Sequence, residues 1–256
     1  MKAFDFLNTA SATQDNKNGR KTMMLDKGMG LHAVDDLIST AGDYISFAKF
    51  GWGTAATMDW HLIEAKTARY RKAGIIPYPG GTLLEIAVAN NQADAFFEEA
   101  ELLGFQGIEV SDGSTTVDKE TRRHLIKQAR DAGFYVISEV GKKNPELDHE
   151  MSPAERVAEI NDDLANGSNY VIIEAREAGK NIGIYDENGQ IAEDELDALA
   201  ANGIDQIMFE APLKSQQTAL ILRFGNQINV GNVAHDEVTS LETLRRGLRA
   251  DTIGKV

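Results

Sequence analysis

Cysteine is absent from all 256 residues, so disulfides, thiolate metal centres and a cysteine nucleophile are excluded. Long apolar runs are missing too. No stretch approaches the roughly 20 residues of a membrane-spanning helix, and the first residues, MKAFDFLNTASATQ, lack the apolar core of a secretory signal. A soluble cytoplasmic protein with no membrane partner is the expectation. Cations are scarce: 26 Lys and Arg stand against 40 Asp and Glu, a net charge of −14. That balance argues against nucleic acid as a partner, which needs a basic surface. A small anionic substrate is still allowed, provided its site gathers the few cations locally. Neither GxGxxG nor GxxxxGK[ST] occurs, so the phosphate loop of a doubly wound open sheet is lacking.

What is present is a repeat. After a polar lead-in over 1–21, with a loop expected at 9–21, short apolar segments alternate with helical ones. The strands are expected at 22–28 (TMMLDKG), 44–51 (YISFAKFG), 75–81 (IIPYPGG), 107–113 (GIEVSDG), 134–143 (FYVISEVGKK), 170–177 (YVIIEARE), 205–212 (DQIMFEAP) and 228–234 (INVGNVA). Pro77 and Pro79 argue against a central strand at 75–81, but the spacing of the units demands an element there. Helices are expected at 31–41, 59–73, 93–103, 118–132, 152–165, 193–201, 215–224 and 236–249. Asp59 is a plausible N-cap, and Ser152, Pro153 and Glu155 spell a full capping box. Eight βα units in about 250 residues is the arithmetic of a TIM barrel, a single α/β domain over 1–256.

In such a barrel the C-terminal strand ends build the active site, and charge collects at those ends here. The first strand ends in Asp26 and Lys27, and the second carries Lys49. The fourth carries Glu109, Ser111 and Asp112, and the fifth Glu139, Lys142 and Lys143. The sixth carries Glu174, Arg176 and Glu177, with Lys180 soon after. The seventh carries Glu210, followed by Lys214, and the eighth ends in Asn232, His235 and Asp236. Side chains alternate along a strand, which puts Glu139 with Lys143, and Glu174 with Arg176, on one face. The helix-facing layer is dry, so the charged face is the inward one. Clustered cations suit a phosphate or carboxylate. Clustered carboxylates suit Mg²⁺, a hard ion that takes oxygen ligands. Together they fit stabilisation of an enolate-like species with Lys as acid or base.

Weaker features have ordinary readings. His32, His61, His124 and His149 read as solvated, and His235 lies near the expected mouth. Trp52 can wall a pocket or pack. Gly51, Gly80 and Gly81 fit close backbone approach or simple turns. The basic run at 242–249, ETLRRGLR, reads as a solvated helix end or a subunit contact.

The chain resembles the phosphosulfolactate synthase family. The matching segments are MKAFDF, LDKG, FAKFGWGT, YPGGTL, IEVSDGS, SEVGKK, YVIIEARE, FEAPLKSQQ, SLETLRRGLR and DTIGKV, in order over nearly the whole length. The polar stretch 9–20 departs from the pattern. The resemblance implies a TIM barrel and an Mg²⁺-dependent, Michael-type addition of sulfite to phosphoenolpyruvate, giving 2-phospho-3-sulfolactate. It also implies a setting in coenzyme M synthesis or sulfolactate formation. The family's catalytic lysine falls on the pair in SEVGKK. Strand alternation favours Lys143 over Lys142 as general acid, with Glu139 beside it in the catalytic set. The resemblance makes Lys27, Lys49, Arg176, Lys180 and Ser111 candidates for substrate binding, and Glu109, Glu139 and Glu174 candidates for Mg²⁺. Two other readings compete: a different enolate-forming barrel lyase or aldolase, and a non-catalytic anion-binding barrel. Exposed barrel helices make a homo-oligomer the expected assembly.

Overall fold

The computed structural model describes residues 3–4, 6–7, 19–176 and 178–256. The expected loop at 9–21 lies outside them up to residue 18, as does Glu177. In chain order the elements are β1 (Thr22–Asp26), α1 (Leu31–Ala41), β2 (Phe47–Phe50), α2 (Trp60–Lys72), β3 (Ile76–Pro79), α3 (Thr82–Ala89), α4 (Ala93–Leu102), β4 (Gly107–Val110), α5 (Lys119–Asp131), β5 (Tyr135–Val140), α6 (Pro145–Glu150), α7 (Pro153–Asn166), β6 (Tyr170–Ile173), α8 (Glu193–Asn202), β7 (Ile207–Glu210), α9 (Lys214–Phe224), β8 (Val230–Ala234) and α10 (Val238–Arg245). All eight expected strands are present, and two helices, α3 and α6, were not expected. The caps follow the sequence: Asp59 accepts from the His61 N–H, and Ser152 with Glu155 forms the capping box of α7.

The strands form one parallel sheet in the order β3-β2-β1-β8-β7-β6-β5-β4. Its two ends, β3 and β4, lie side by side, so the sheet is a nearly closed TIM barrel. The two prolines explain the open seam. Ile76 N–H donates to Ser46 O and Gly80 N–H to Phe50 O, both on the β2 side. Backbone donors alternate sides along a strand, so residues 77 and 79 would donate toward β4. Both are proline and have no N–H. The seam keeps a bond in the other direction, from Gln106 N–H to Pro77 O at 3.0 Å.

Alternation sorts the strand residues into two layers. Phe47, Tyr78, Ile137, Tyr170, Ile172 and Met208 fill the barrel below the charged rim. Their strand neighbours Ala48, Phe50, Val136, Val171, Ile173 and Phe209 pack outward against the helices. The floor corrects the reading of 242–249. Arg245 is buried, and its Nη2 donates to Lys21 O and Ile228 O. Glu242 accepts from Arg20 and Arg246 at 2.6 Å each. Within this run Arg245 closes the barrel base on backbone carbonyls and does not meet solvent, while Arg246 and Arg249 remain partly exposed.

Arg122 on α5 joins three elements behind the site. It donates to Asp163 on α7 (Nε–Oδ1 2.8 Å) and to the Glu139 backbone carbonyl (3.0 Å). Both Arg122 and Asp163 are buried. Removing one partner of such a pair strands a charge. Arg122→Met should therefore lower unfolding free energy by about 3–5 kcal/mol in urea titration; a loss under about 1 kcal/mol would show that Asp163 finds another partner or water.

Candidate active site

At the C-terminal mouth of the barrel lies a cavity of about 220 Å³, lined by residues that include Lys49, Trp52, Gly81, Thr82, Glu109, Ser114, Glu139, Lys143, Glu174, Arg176, Glu210 and Asn232. Its base is one lysine among three carboxylates. Lys49 Nζ lies 2.9 Å from Glu109 Oε2, 3.0 Å from Glu139 Oε2 and 3.5 Å from Glu210 Oε1. Burial opposes charge on Lys49, yet the three glutamates raise its pKa well above that of an ordinary lysine. Beneath it, the buried Tyr78 hydroxyl has no hydrogen-bond partner among the described residues.

Lys143 forms the second centre. Its Nζ is 3.3 Å from Glu139 Oε1, 3.7 Å from Glu174 Oε2 and 3.3 Å from Thr82 Oγ1. Burial again opposes the charge, and Glu139 and Glu174 overcome it, so Lys143 is held as the ammonium. The carboxylates divide between two states. Burial works against ionised Glu139, but Lys49 and Lys143 prevail and hold it below the usual carboxylate range. Burial, then the charges of Glu139 and Glu210, push Glu174 well above that range. Burial lifts Glu109 to about 7, against the pull of Lys49.

The strand-end side chains also bind backbone. Glu109 Oε1 accepts from the Gly81 N–H at 2.7 Å, carrying the β3–β4 seam one step past the prolines. A Cβ at Gly81 would overlap Ser111 and Glu109, so this position needs glycine. Glu85, buried on α3, accepts from Ser111 Oγ (2.6 Å), Ser114 N–H (2.9 Å) and Thr115 N–H (2.6 Å). It ties the β4–α5 loop to the α3 wall of the cavity. Nothing periodic in the sequence marks it; its only signal is a lone carboxylate within TLLEIAVA.

Not every expected residue reaches the cavity. Lys143 points in while Lys142 turns aside to Asp112, donating to its carboxylate and to its carbonyl at 3.1 Å. Ser111 is buried behind Gly81 against Glu85. Lys27 is exposed above the Trp52 ring, 4.4 Å from its centroid, at the mouth. Lys180 is exposed and does not line the cavity, and His235 is exposed outside it. Two expected pairs meet, but not by strand alternation: Glu139 with Lys143, and Glu174 with Arg176. β5 ends at Val140, and Gly141 turns at φ 128° before Lys143. β6 ends at Ile173, and Arg176 lies in a left-handed turn with φ 58°. Its N–H donates to Glu174 Oε1 at 2.6 Å and its Nη1 to Lys143 O at 2.9 Å. Glu210 and Asn232 stand in the strand-end pattern, but alternation gives no reason to rank them.

The oxygen donors bear on a metal. Glu109 Oε2, Glu139 Oε1 and Glu174 Oε2 are buried and lack a well-aligned hydrogen bond among the described residues, each facing a lysine ammonium: Lys49 for Glu109, and Lys143 for the other two. No three His, Asp or Glu side chains there form a ready cage for an ion, because Lys49 stands between Glu109 and Glu139. Mg²⁺ does not need such a cage; it takes one or two carboxylates and completes its shell with water and substrate oxygens. Glu139 and Glu174 fit that mode.

The family model described as (2R)-phospho-3-sulfolactate synthase (ComA) matches residues 11–251. The chain belongs to this family. Phosphosulfolactate synthase from Methanocaldococcus jannaschii is 50% identical over all of both chains, and that from Methanothermobacter thermautotrophicus 48% identical over 100% of this chain and 99% of that one. The Bacillus subtilis enzyme of the same name is 35% identical over 91% of each. As a member of the phosphosulfolactate synthase family the chain is an enzyme, a lyase by reaction class. Among solved structures, a putative phosphonomutase from Burkholderia cenocepacia aligns with TM-score 0.56 at 13% identity, covering 88% of this chain and 91% of that one. The 3-hexulose-6-phosphate synthase of Salmonella typhimurium aligns with TM-score 0.54 at 14% identity, covering 92% and 94%. At such identities the likeness shows the barrel fold alone. No helix among the described residues is long and apolar enough to cross a membrane.

Glu85→Ala should leave the donors of Ser111, Ser114 and Thr115 without their acceptor and cost about 2–4 kcal/mol. Thermal unfolding reads this as a drop of roughly 5–15 °C; an unchanged midpoint would mean that water replaces the carboxylate.

Proposed function

We propose that this enzyme adds sulfite to phosphoenolpyruvate to give (2R)-2-O-phospho-3-sulfolactate, with Lys143 as general acid. The observation that carries this reading is the Lys143 ammonium, held between Glu139 and Glu174 at the wall of an anion-sized cup. The names and near full-length identity of the relatives support it. Sulfite attacks the methylene carbon and its lone pair forms the C–S bond. The π electrons of the enol move toward the carboxylate, which becomes an aci-carboxylate. Lys143 Nζ then gives a proton to the phosphate-bearing carbon, where the new stereocentre forms. A lysine kept cationic is a competent donor at neutral pH.

The other side chains set the field. Arg176 offers a planar fork for one anionic group. Lys49 is committed to three carboxylates, so it keeps their oxygens aimed into the cup. Lys27, exposed at the mouth over Trp52, attracts the anions over distance, and Lys180, exposed outside the cavity, adds to the same field. Glu139 and Glu174, with Glu109 behind them, are the oxygen donors for Mg²⁺. When bound, that ion would offset the negative charge that grows on the substrate carboxylate.

With Mg²⁺ present, the protein should consume phosphoenolpyruvate only when sulfite is added, yielding a phosphorylated sulfonate. Consumption without sulfite, or borohydride trapping with a carbonyl substrate, would point to another barrel lyase or an aldolase. Lys143→Ala should lose at least about 100-fold in kcat, the usual worth of a general acid, with circular dichroism unchanged. Lys142→Ala should stay within about tenfold, and equal losses in both would defeat the assignment of Lys143. Excess EDTA should stop turnover and added Mg²⁺ restore it; full activity in EDTA would remove the metal from the reading.

A further inference from the structure

Arg176 holds a backbone conformation that arginine seldom adopts, and side chains hold it there. Its N–H donates to Glu174 Oε1 at 2.6 Å, and the preceding Ala175 N–H donates to Glu210 Oε2 at 3.1 Å. Its carbonyl accepts from Asn232 Nδ2 at 2.8 Å. The same nitrogen reaches Glu210 Oε2 at 3.3 Å. A carboxamide nitrogen carries two hydrogens, and here both face acceptors, which also decides which end of the amide is nitrogen. Asn232 is buried and lies at φ 54°, a left-handed backbone that asparagine tolerates better than most residues. It borders the cavity, yet its donors are spent on the Arg176 turn and on Glu210.

We propose that Asn232 is a positioning residue for the reaction: with Glu210 it clamps the turn at 175–176 and so sets where the Arg176 guanidinium stands in the cup. The clamp extends to the acid, because Arg176 Nη1 donates to the Lys143 carbonyl at 2.9 Å. Losing the Asn232 amide would therefore loosen the anion fork and the backbone of Lys143 together. The inference rests on the cup being the site for phosphoenolpyruvate and sulfite.

Two variants separate the amide from the backbone. Asn232→Gly removes the side chain and suits a left-handed φ, so any loss is not strain. Asn232→Asp keeps the size and the turn but exchanges the donor for a second carboxylate facing Glu210, and it serves if the glycine variant does not fold. Hydrogen exchange of the ligand-free protein over residues 174–180 reads the clamp with no substrate present, and should quicken at least tenfold in either variant. Phosphoenolpyruvate affinity, by calorimetry, should weaken at least fivefold. In an Arg176→Ala background, Asn232→Gly should cost less than twofold more, since Asn232 acts through Arg176. Unchanged exchange, unchanged affinity despite faster exchange, or a full extra loss without Arg176 would each overturn the proposal. Failure of the unmodified protein to bind phosphoenolpyruvate would instead overturn the reading of the cup, and the exchange comparison would still decide the clamp.

Discussion

Lys49 sits where three strand-end glutamates converge, and the upper half of the barrel depends on that meeting. Carboxylates buried side by side repel and cannot all ionise unless a cation stands among them. With Lys49 in place, Glu139 is held below the usual carboxylate range and steadies Lys143, while burial and the charges of Glu139 and Glu210 push Glu174 above that range. A core of apolar residues at these positions would be simpler to fold. Holding these charges gives the cup oppositely charged groups at fixed places before any substrate arrives. Such preorganisation suits the proposed addition, which builds negative charge on the substrate.

Around this centre, carboxylates and amides act as substitutes for backbone pairing. Glu109 accepts the Gly81 N–H, Glu85 gathers the β4–α5 loop, and Glu174, Glu210 and Asn232 hold the turn after β6. The strands stop after four to six residues, and past those ends the ladder supplies no partners. Side chains supply them instead, so the same residues shape the loops and line the cavity. Asp148 shows this at the back of the site: it accepts from the Lys142 and Gly183 N–H groups at 2.9 and 2.8 Å and pairs with buried Arg156.

The elements most readable from the sequence were those with a local period. Seven strands follow from short apolar runs, the third from the spacing of the units despite Pro77 and Pro79, and the helix caps at Asp59 and Ser152 from capping chemistry. Alternation puts Glu139 on the inward face of β5, but Lys143 reaches it from beyond the strand, which ends at Val140 before Gly141 turns at φ 128°. α3 and α6 escaped because each is short and shares its βα unit with another helix. Arg176 was misread in its route, since a period of two ends where the strand ends, at Ile173. Arg245 was misread because a basic run looks the same whether it meets water or the carbonyls of a barrel floor.

The sequence by itself determined the eightfold βα repeat, the family, the absence of thiol chemistry and the row of charges at the strand ends. These are local or compositional properties, written in spacing and residue type. Only the tertiary structure decided that Lys49 meets Glu109, Glu139 and Glu210, that Lys142 turns to Asp112, and that Asn232 reaches the turn of Arg176. Those pairings join residues as far as 161 positions apart (Lys49 to Glu210). They depend on how the sheet closes and on turns beyond its strands, and a local period carries neither.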